Sequence, residues 1–144
     1  MGRRYDTLVK CTQIRKLMDE NKYIKALEII ESLDLGRSYP VSDLYLFAKV
    51  FLNADRFLEA KQIYHHIYER THTKRALKEC ILIALRLDEI KEARELFLEY
   101  ELSADATLDL YELRYRLAKA EGVPRNELID LLEDLRKEEF TEEW

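Results

Sequence analysis

Residues 55–64 read DRFLEAKQIY, and the chain carries two further versions of the same decapeptide. NKYIKALEII begins at Asn21 and DEIKEARELF at Asp88. A bulky residue is third in each (Tyr23, Phe57, Ile90), an alanine is sixth (Ala26, Ala60, Ala93) and a large apolar residue is tenth (Ile30, Tyr64, Phe97). The copies lie 34 and 33 residues apart. One alanine followed four residues later by a large side chain describes any amphipathic helix. Three in register at a near-constant period describe a structural repeat. Alanine suits the point where two helices cross closely, because a larger side chain would push their axes apart. The bulky neighbours fill the space beside that contact.

Outward from these segments, apolar residues recur at helical spacing almost from end to end. With three Gly and two Pro in 144 residues, turn residues are too scarce for an all-β or α/β chain. The pattern predicts an all-α protein of eight helices arranged as four hairpins. The helices are expected at about 5–20 with 23–34, 41–53 with 57–70, 73–87 with 90–101, and 105–121 with 124–138. Gly36 and Pro40 bracket the first connection between hairpins, and Ser42 is the expected N-cap of the third helix. Gly122 is placed to end the seventh helix, and Pro124 suits the first turn of the eighth. A single hairpin cannot hide both of its apolar faces, but stacked hairpins cover one another. One domain over residues 1–144 is therefore expected, with repeats at about 5–34, 41–70, 73–101 and 105–138.

Composition narrows the function classes. Apolar residues make up 47% and charged residues 37%, which is globular rather than disordered. No apolar run reaches the roughly 18 residues of a membrane span, and MGRRYDTLVK lacks the apolar stretch of a signal peptide. A soluble, cytoplasmic protein without membrane contact is the expectation. Cys11 and Cys80 lie far apart in apolar helical patterns and read as reduced, small core or groove residues. A net charge of −5 does not suggest nucleic acid as a partner.

The sequence is silent about chemistry. His65 and His66 are adjacent, so their side chains point about 100° apart and cannot chelate one metal as an i, i+4 pair does. His65 and His72 are about 10 Å apart along a helix. No phosphate loop, nucleophile elbow or zinc spacing occurs. No enzyme activity, catalytic residue, metal site or cofactor is expected.

The alanines and their neighbours resemble the tetratricopeptide repeat, a 34-residue helix–turn–helix unit with a W-x2-L-G-x2-Y…A-x3-F…P pattern. Ala26/Ile30, Ala60/Tyr64 and Ala93/Phe97 match its A-x3-F element, and Tyr23 and Phe57 match the preceding aromatic. The Gly of the pattern falls on Ile14, Ala48 and Ile81, and the closing Pro is missing. The fourth hairpin departs further: VPRNE holds an extra residue, and Leu128, Leu132 and Leu135 are one position out of phase. The resemblance thus covers residues 7–101 well and 105–138 poorly. A pentatricopeptide RNA binder is the nearest rival, disfavoured by the shorter intervals and the absence of a polar base-reading code.

The resemblance implies a right-handed α-solenoid that acts as a protein–protein interaction scaffold, with first helices lining a concave groove. Counting by the period then aligns Arg15, Lys49, Leu82 and Arg116 in one row, and Cys11, Tyr45, Lys78 and Glu112 in another. Leu8, Ser42, Arg75 and Asp109 form a third, and Asp19, Asn53, Arg86 and Ala120 a fourth. The rows carry six cations (Arg15, Lys49, Arg75, Lys78, Arg86, Arg116) and three carboxylates. An acidic peptide segment of a protein partner is the expected ligand, with Tyr45 as an aromatic anchor. The Lys and Asn that would clamp a terminal carboxylate are replaced by Cys11 and Arg15. The alternative is a structural or oligomerisation element of a longer array. FTEEW, from Phe140 to Trp144, has the form of a further helix start, and an uncapped last hairpin would favour self-association.

Overall fold

A computed structural model describes residues 2–103 and 107–142. Among the described residues the chain forms eight α-helices and no strand. It divides into two compact units, residues 1–71 and 72–144. The first holds α1 (Gly2–Asp19), α2 (Tyr23–Glu31), α3 (Val41–Asn53) and α4 (Phe57–Thr71). The second holds α5 (Lys74–Arg86), α6 (Ile90–Ser103), α7 (Leu108–Ala120) and α8 (Arg125–Glu142). No helix among the described residues is long and apolar enough to cross a membrane.

The turns inside the hairpins share one backbone device. Asn21, Asp55, Asp88 and Gly122 have φ of 59°, 60°, 60° and 77° and are spaced like the repeat. A left-handed residue directs the chain back at a helix C-terminus, and Asn, Asp and Gly tolerate it best. The residue after it then donates its N–H to the carbonyl five positions back. Lys22 reaches Leu17, Arg56 reaches Phe51 and Glu89 reaches Ala84, each at 2.8 Å. The carbonyl of that same residue accepts the first bond of the next helix, from Ala26 (3.1 Å), Ala60 (3.0 Å) and Ala93 (3.0 Å). One peptide group each side of residues 22, 56 and 89 therefore closes one helix and opens another. The repeated alanine is the residue whose amide completes the turn, and all three alanines are fully buried.

Each unit repeats one packing scheme. Partners within a hairpin pack together (α1 on α2, α3 on α4), as do α2 and α3, and the first helices α1 and α3 touch. In the second unit α5 packs on α6, α7 on α8, α6 on α7, and α5 touches α7. The large side chains that close the decapeptides, Ile30, Tyr64 and Phe97, are buried. So are Ile14, Ala48 and Ile81, the positions where the repeat pattern has Gly. α3 is the most enclosed helix of the first unit, burying Leu44, Phe47, Ala48, Val50 and Phe51. α8 buries no described residue completely. Its Leu128, Leu131, Leu132 and Leu135 are half-buried, and Ile129 is exposed.

Four sequence expectations need correction. α2 ends at Glu31 rather than near 34. Tight bonds from Ser32 N–H to Ile29 and from Leu33 N–H to Ile30 end the helix, and the Asp34 carboxylate then receives the Gly36 amide at 3.0 Å. Ser42 is not the N-cap of α3: Val41 is already helical, and the Pro40 carbonyl accepts the amides of Asp43 and Leu44. His72 has φ of 52° beyond the end of α4, so His65 and His72 do not share one helix. Finally, residues 139–142 continue α8 and do not begin a further helix. Trp144, the other half of that expectation, lies outside the described residues. The expected extra residue in the fourth turn is present. There Val123 N–H caps α7 at the Ala118 carbonyl, while Pro124 supplies the carbonyl that Leu128 N–H uses to start α8.

Two variants test the turn and the crossing. Ala60 has no free surface, so Ala60→Leu is expected to cost about 1–3 kcal/mol of stability through overpacking. A thermal melt coincident with that of the native chain would contradict this. At Gly122 an added Cβ would meet no atom within 4 Å, so only backbone strain opposes it. Gly122→Ala should cost about 1 kcal/mol, and Gly122→Asn less, in urea unfolding.

Candidate functional site

In the first unit, α1 and α3 carry Arg15, Tyr45 and Lys49. Arg15 is ion-paired across the two helices, its Nη2 3.0 Å from Asp43 Oδ1. Cys11, one turn before Arg15, is buried and free. Burial pushes its thiol pKa up, and the Asp43 carboxylate adds to the effect. Tyr45 is half-buried, its ring 6.2 Å from that of Tyr64 on α4 at a tilt of 59°. It therefore joins the packing of the α3–α4 hairpin while keeping part of its surface in solvent. Lys49 is exposed one turn further along α3.

In the second unit, α5 carries Arg75, Lys78 and Arg86, and α7 carries Arg116. The Lys78 ammonium is 2.9 Å from Asp109 on α7. Burial works against its charge, but the hydrogen bond and charge of Asp109 outweigh it and the pKa rises. Arg75 and Lys78 also line a pocket of about 370 Å³ with Lys74, Glu79, Tyr100 and Asp109. Burial pushes the Glu79 carboxyl up, against the pull of Lys78 and Arg75, and it pushes the Tyr100 phenol up as well. Arg86 is exposed in the last turn of α5, where a cation suits the negative end of the helix dipole. Arg116 pairs along its own helix with Glu112 at 2.9 Å.

Among the expected groove cations, Arg15, Lys78 and Arg116 thus pair with the carboxylates of Asp43, Asp109 and Glu112. Two of these pairs tie one first helix to the next (α1 to α3, α5 to α7). Exposed pairs of this kind contribute about 0–1 kcal/mol each, so they orient the helices more than they stabilise them. A similar link joins Arg94 on α6 to Glu121 at the end of α7, with Nε and Nη2 of the guanidinium each donating to one carboxylate oxygen. The hydrogen bond from Arg94 leads the lowering of the Glu121 carboxyl pKa.

Nothing in the apolar spacing points to the cavity that the first unit holds. A cavity of about 580 Å³ opens in the first unit between the α2–α3 connection, α3 and α4. Leu44, Phe47, Phe51 and Ile63 line it with Arg37 and Arg70. At about 100° per residue, the α3 side that faces this cavity is roughly opposite the side carrying Tyr45 and Lys49. The available signal was the connection itself, residues 32–40, which runs nine residues where α4 and α5 are joined by two.

Among the described residues, no three His, Cys, Asp or Glu side chains gather as a metal site. His65 pairs with Glu69 at 3.3 Å on the exposed side of α4. Compared with protein-family models and with curated proteins, the sequence matches none.

The Glu79 environment gives a pH test. Its folded-state pKa lies above the ordinary value, so the unfolded chain releases this proton first. Stability then falls as pH rises from about 4.3 through the folded-state pKa. Glu79→Gln is expected to melt higher than the native chain at about pH 7, with the difference vanishing near pH 3, below both values. Melting curves that coincide at both pH values would refute this assignment.

Proposed function

We propose that the chain is a protein-interaction module of the tetratricopeptide-like α-solenoid type, without enzymatic activity, that binds an acidic segment of a protein partner. The observation that carries this reading is the recurrence of one hairpin geometry, with left-handed turn residues at 21, 55, 88 and 122. Such a repeat presents the same positions of successive first helices over and over, which is how an extended peptide is read. The charge on those positions supports an anionic ligand. Lys49 is exposed on the first unit, and Arg75 and Arg86 are exposed on the second. Tyr45 offers a rigid, partly exposed ring beside Lys49.

The ion pairs refine the reading. Arg15 and Lys78 hold Asp43 and Asp109, so their first role is to set the spacing of neighbouring first helices. An incoming carboxylate would share these cations or compete for them, whereas at Lys49 it meets an exposed ammonium. Lys49 is accordingly the residue on which recognition leans most in the first unit.

The test uses a fluorescein-labelled peptide rich in Asp and Glu, with a Lys-rich peptide of equal length as control. Binding of the acidic peptide is expected to weaken with salt and to fall about fivefold or more in Lys49→Glu. Lys49→Glu combined with Arg15→Glu, both on the first unit, should lose it almost entirely, with folding checked by circular dichroism because Glu at position 15 would face Asp43. Anisotropy curves unchanged by both substitutions, or equal affinity for the Lys-rich control, would remove the proposal.

A further inference from the structure

We propose that the cavity in the first unit is a binding site for a small amphipathic carboxylate, a compact alkyl or aryl body ending in one carboxyl group. It is independent of the first-helix faces and of the reading given to them. The site exists because two equivalent helices differ in length. α2 has nine residues and α4 has fifteen, a difference of six residues or about 9 Å of helix. The positions that would continue α2 run instead as the connection 32–40. The last turns of α4, from His66 to Arg70, therefore border open space instead of a neighbouring helix.

The walls are built from both sides. α3 supplies an apolar wall of Leu44, Phe47 and Phe51, and α4 adds Ile63 to it between the polar Glu59, Gln62, His66 and Arg70. The connection is held by its own bonds. Tyr39 is buried, its ring meets Phe47 edge-on at 5.3 Å, and its hydroxyl donates to the Asp34 carbonyl at 2.7 Å. Arg70 Nη1 donates to the Tyr39 carbonyl at 2.8 Å, which fixes that guanidinium at the cavity edge. Arg37, on the connection, supplies a second cation to the lining, and its amide is tied to the Asp34 carbonyl at 3.2 Å.

Charge selects the ligand. Glu59 is the acidic group of the lining, and Arg56 already grips both its oxygens at 2.6 and 2.7 Å. Arg37 and Arg70 against Glu59 leave the lining with one net positive charge, and the Ser38 hydroxyl and the His66 imidazole are also in the wall. A ligand with an apolar body and one anionic end satisfies both parts. A neutral hydrocarbon would bring no anion to the guanidinium groups, and a cation would be repelled by them. The volume, about 580 Å³, lies within the range of small-molecule sites.

Octanoate, below its micellar concentration, is the probe, followed by calorimetric titration of the whole chain. One saturable site per chain is expected. Arg37→Glu is expected to weaken it by about tenfold or more, because a charge-assisted bond is replaced by repulsion. Octylamine, the same chain with a cationic end, should bind at least about tenfold more weakly than octanoate. Ile63→Trp, which fills the apolar wall, should abolish binding while leaving the helical circular dichroism signal in place. Arg37 is exposed on a connection, so its variant remains informative even if Ile63→Trp fails to fold. No saturable octanoate binding, a smaller loss in Arg37→Glu, or comparable binding of octylamine would overturn the proposal.

Discussion

The fold depends on a pair of backbone hydrogen bonds made by a single residue in each of the first three hairpin turns. At Lys22, Arg56 and Glu89 the N–H group closes one helix, and the carbonyl group opens the next. The two bonds fix the exit of the first helix and the entry of the second together, so the hairpin has one geometry and not a range of them. Everything else in the decapeptide follows from this. The residue before must accept a left-handed backbone, which Asn21 and Asp55 do at modest cost. The residue four positions later faces the partner helix immediately after the turn, where the chains are closest, and it is alanine in all three copies.

The fourth hairpin shows what happens when the two tasks are separated. Val123 closes α7 and Pro124 opens α8, one residue further on. An added residue turns the following helix by about 100°, which moves Leu128 into the place held elsewhere by alanine. Leu128 is half-buried there, where the alanines of the other hairpins are fully buried. The other inward leucines of α8 are half-buried too, with α7 packed on one side of the helix. The departure from the repeat is thus one insertion with two consequences and not a general loss of pattern.

Much of this was legible in the residues. The apolar spacing gave α3 its limits of Val41 and Asn53, and the period located all four turns. What it did not reveal was the early end of α2. Leu33 continues the apolar pattern but is half-buried in a turn, because periodicity reports which side chains want cover and not where the backbone stops. The cations were likewise readable as residues but not as pairs. Arg15 and Asp43 are 28 residues apart, and Lys78 and Asp109 are 31 apart. Such partners are set by how neighbouring helices slide against each other, and no local spacing rule encodes it. The cavity beside Phe47 belongs to the same class, since it is defined by the helix that is not there.

The double bond of the turn has a consequence for how such a chain can change over generations. The capping by residues 22, 56 and 89 uses main-chain atoms, so it does not depend on which side chain these positions carry. The chain uses lysine, arginine and glutamate at these three places. Arg56 has recruited its freedom to reach both Glu59 and Glu31, while Lys22 meets Glu20. A position that must be filled, but by no residue in particular, is where a repeat protein can drift in surface charge and acquire new contacts while its architecture stays constant.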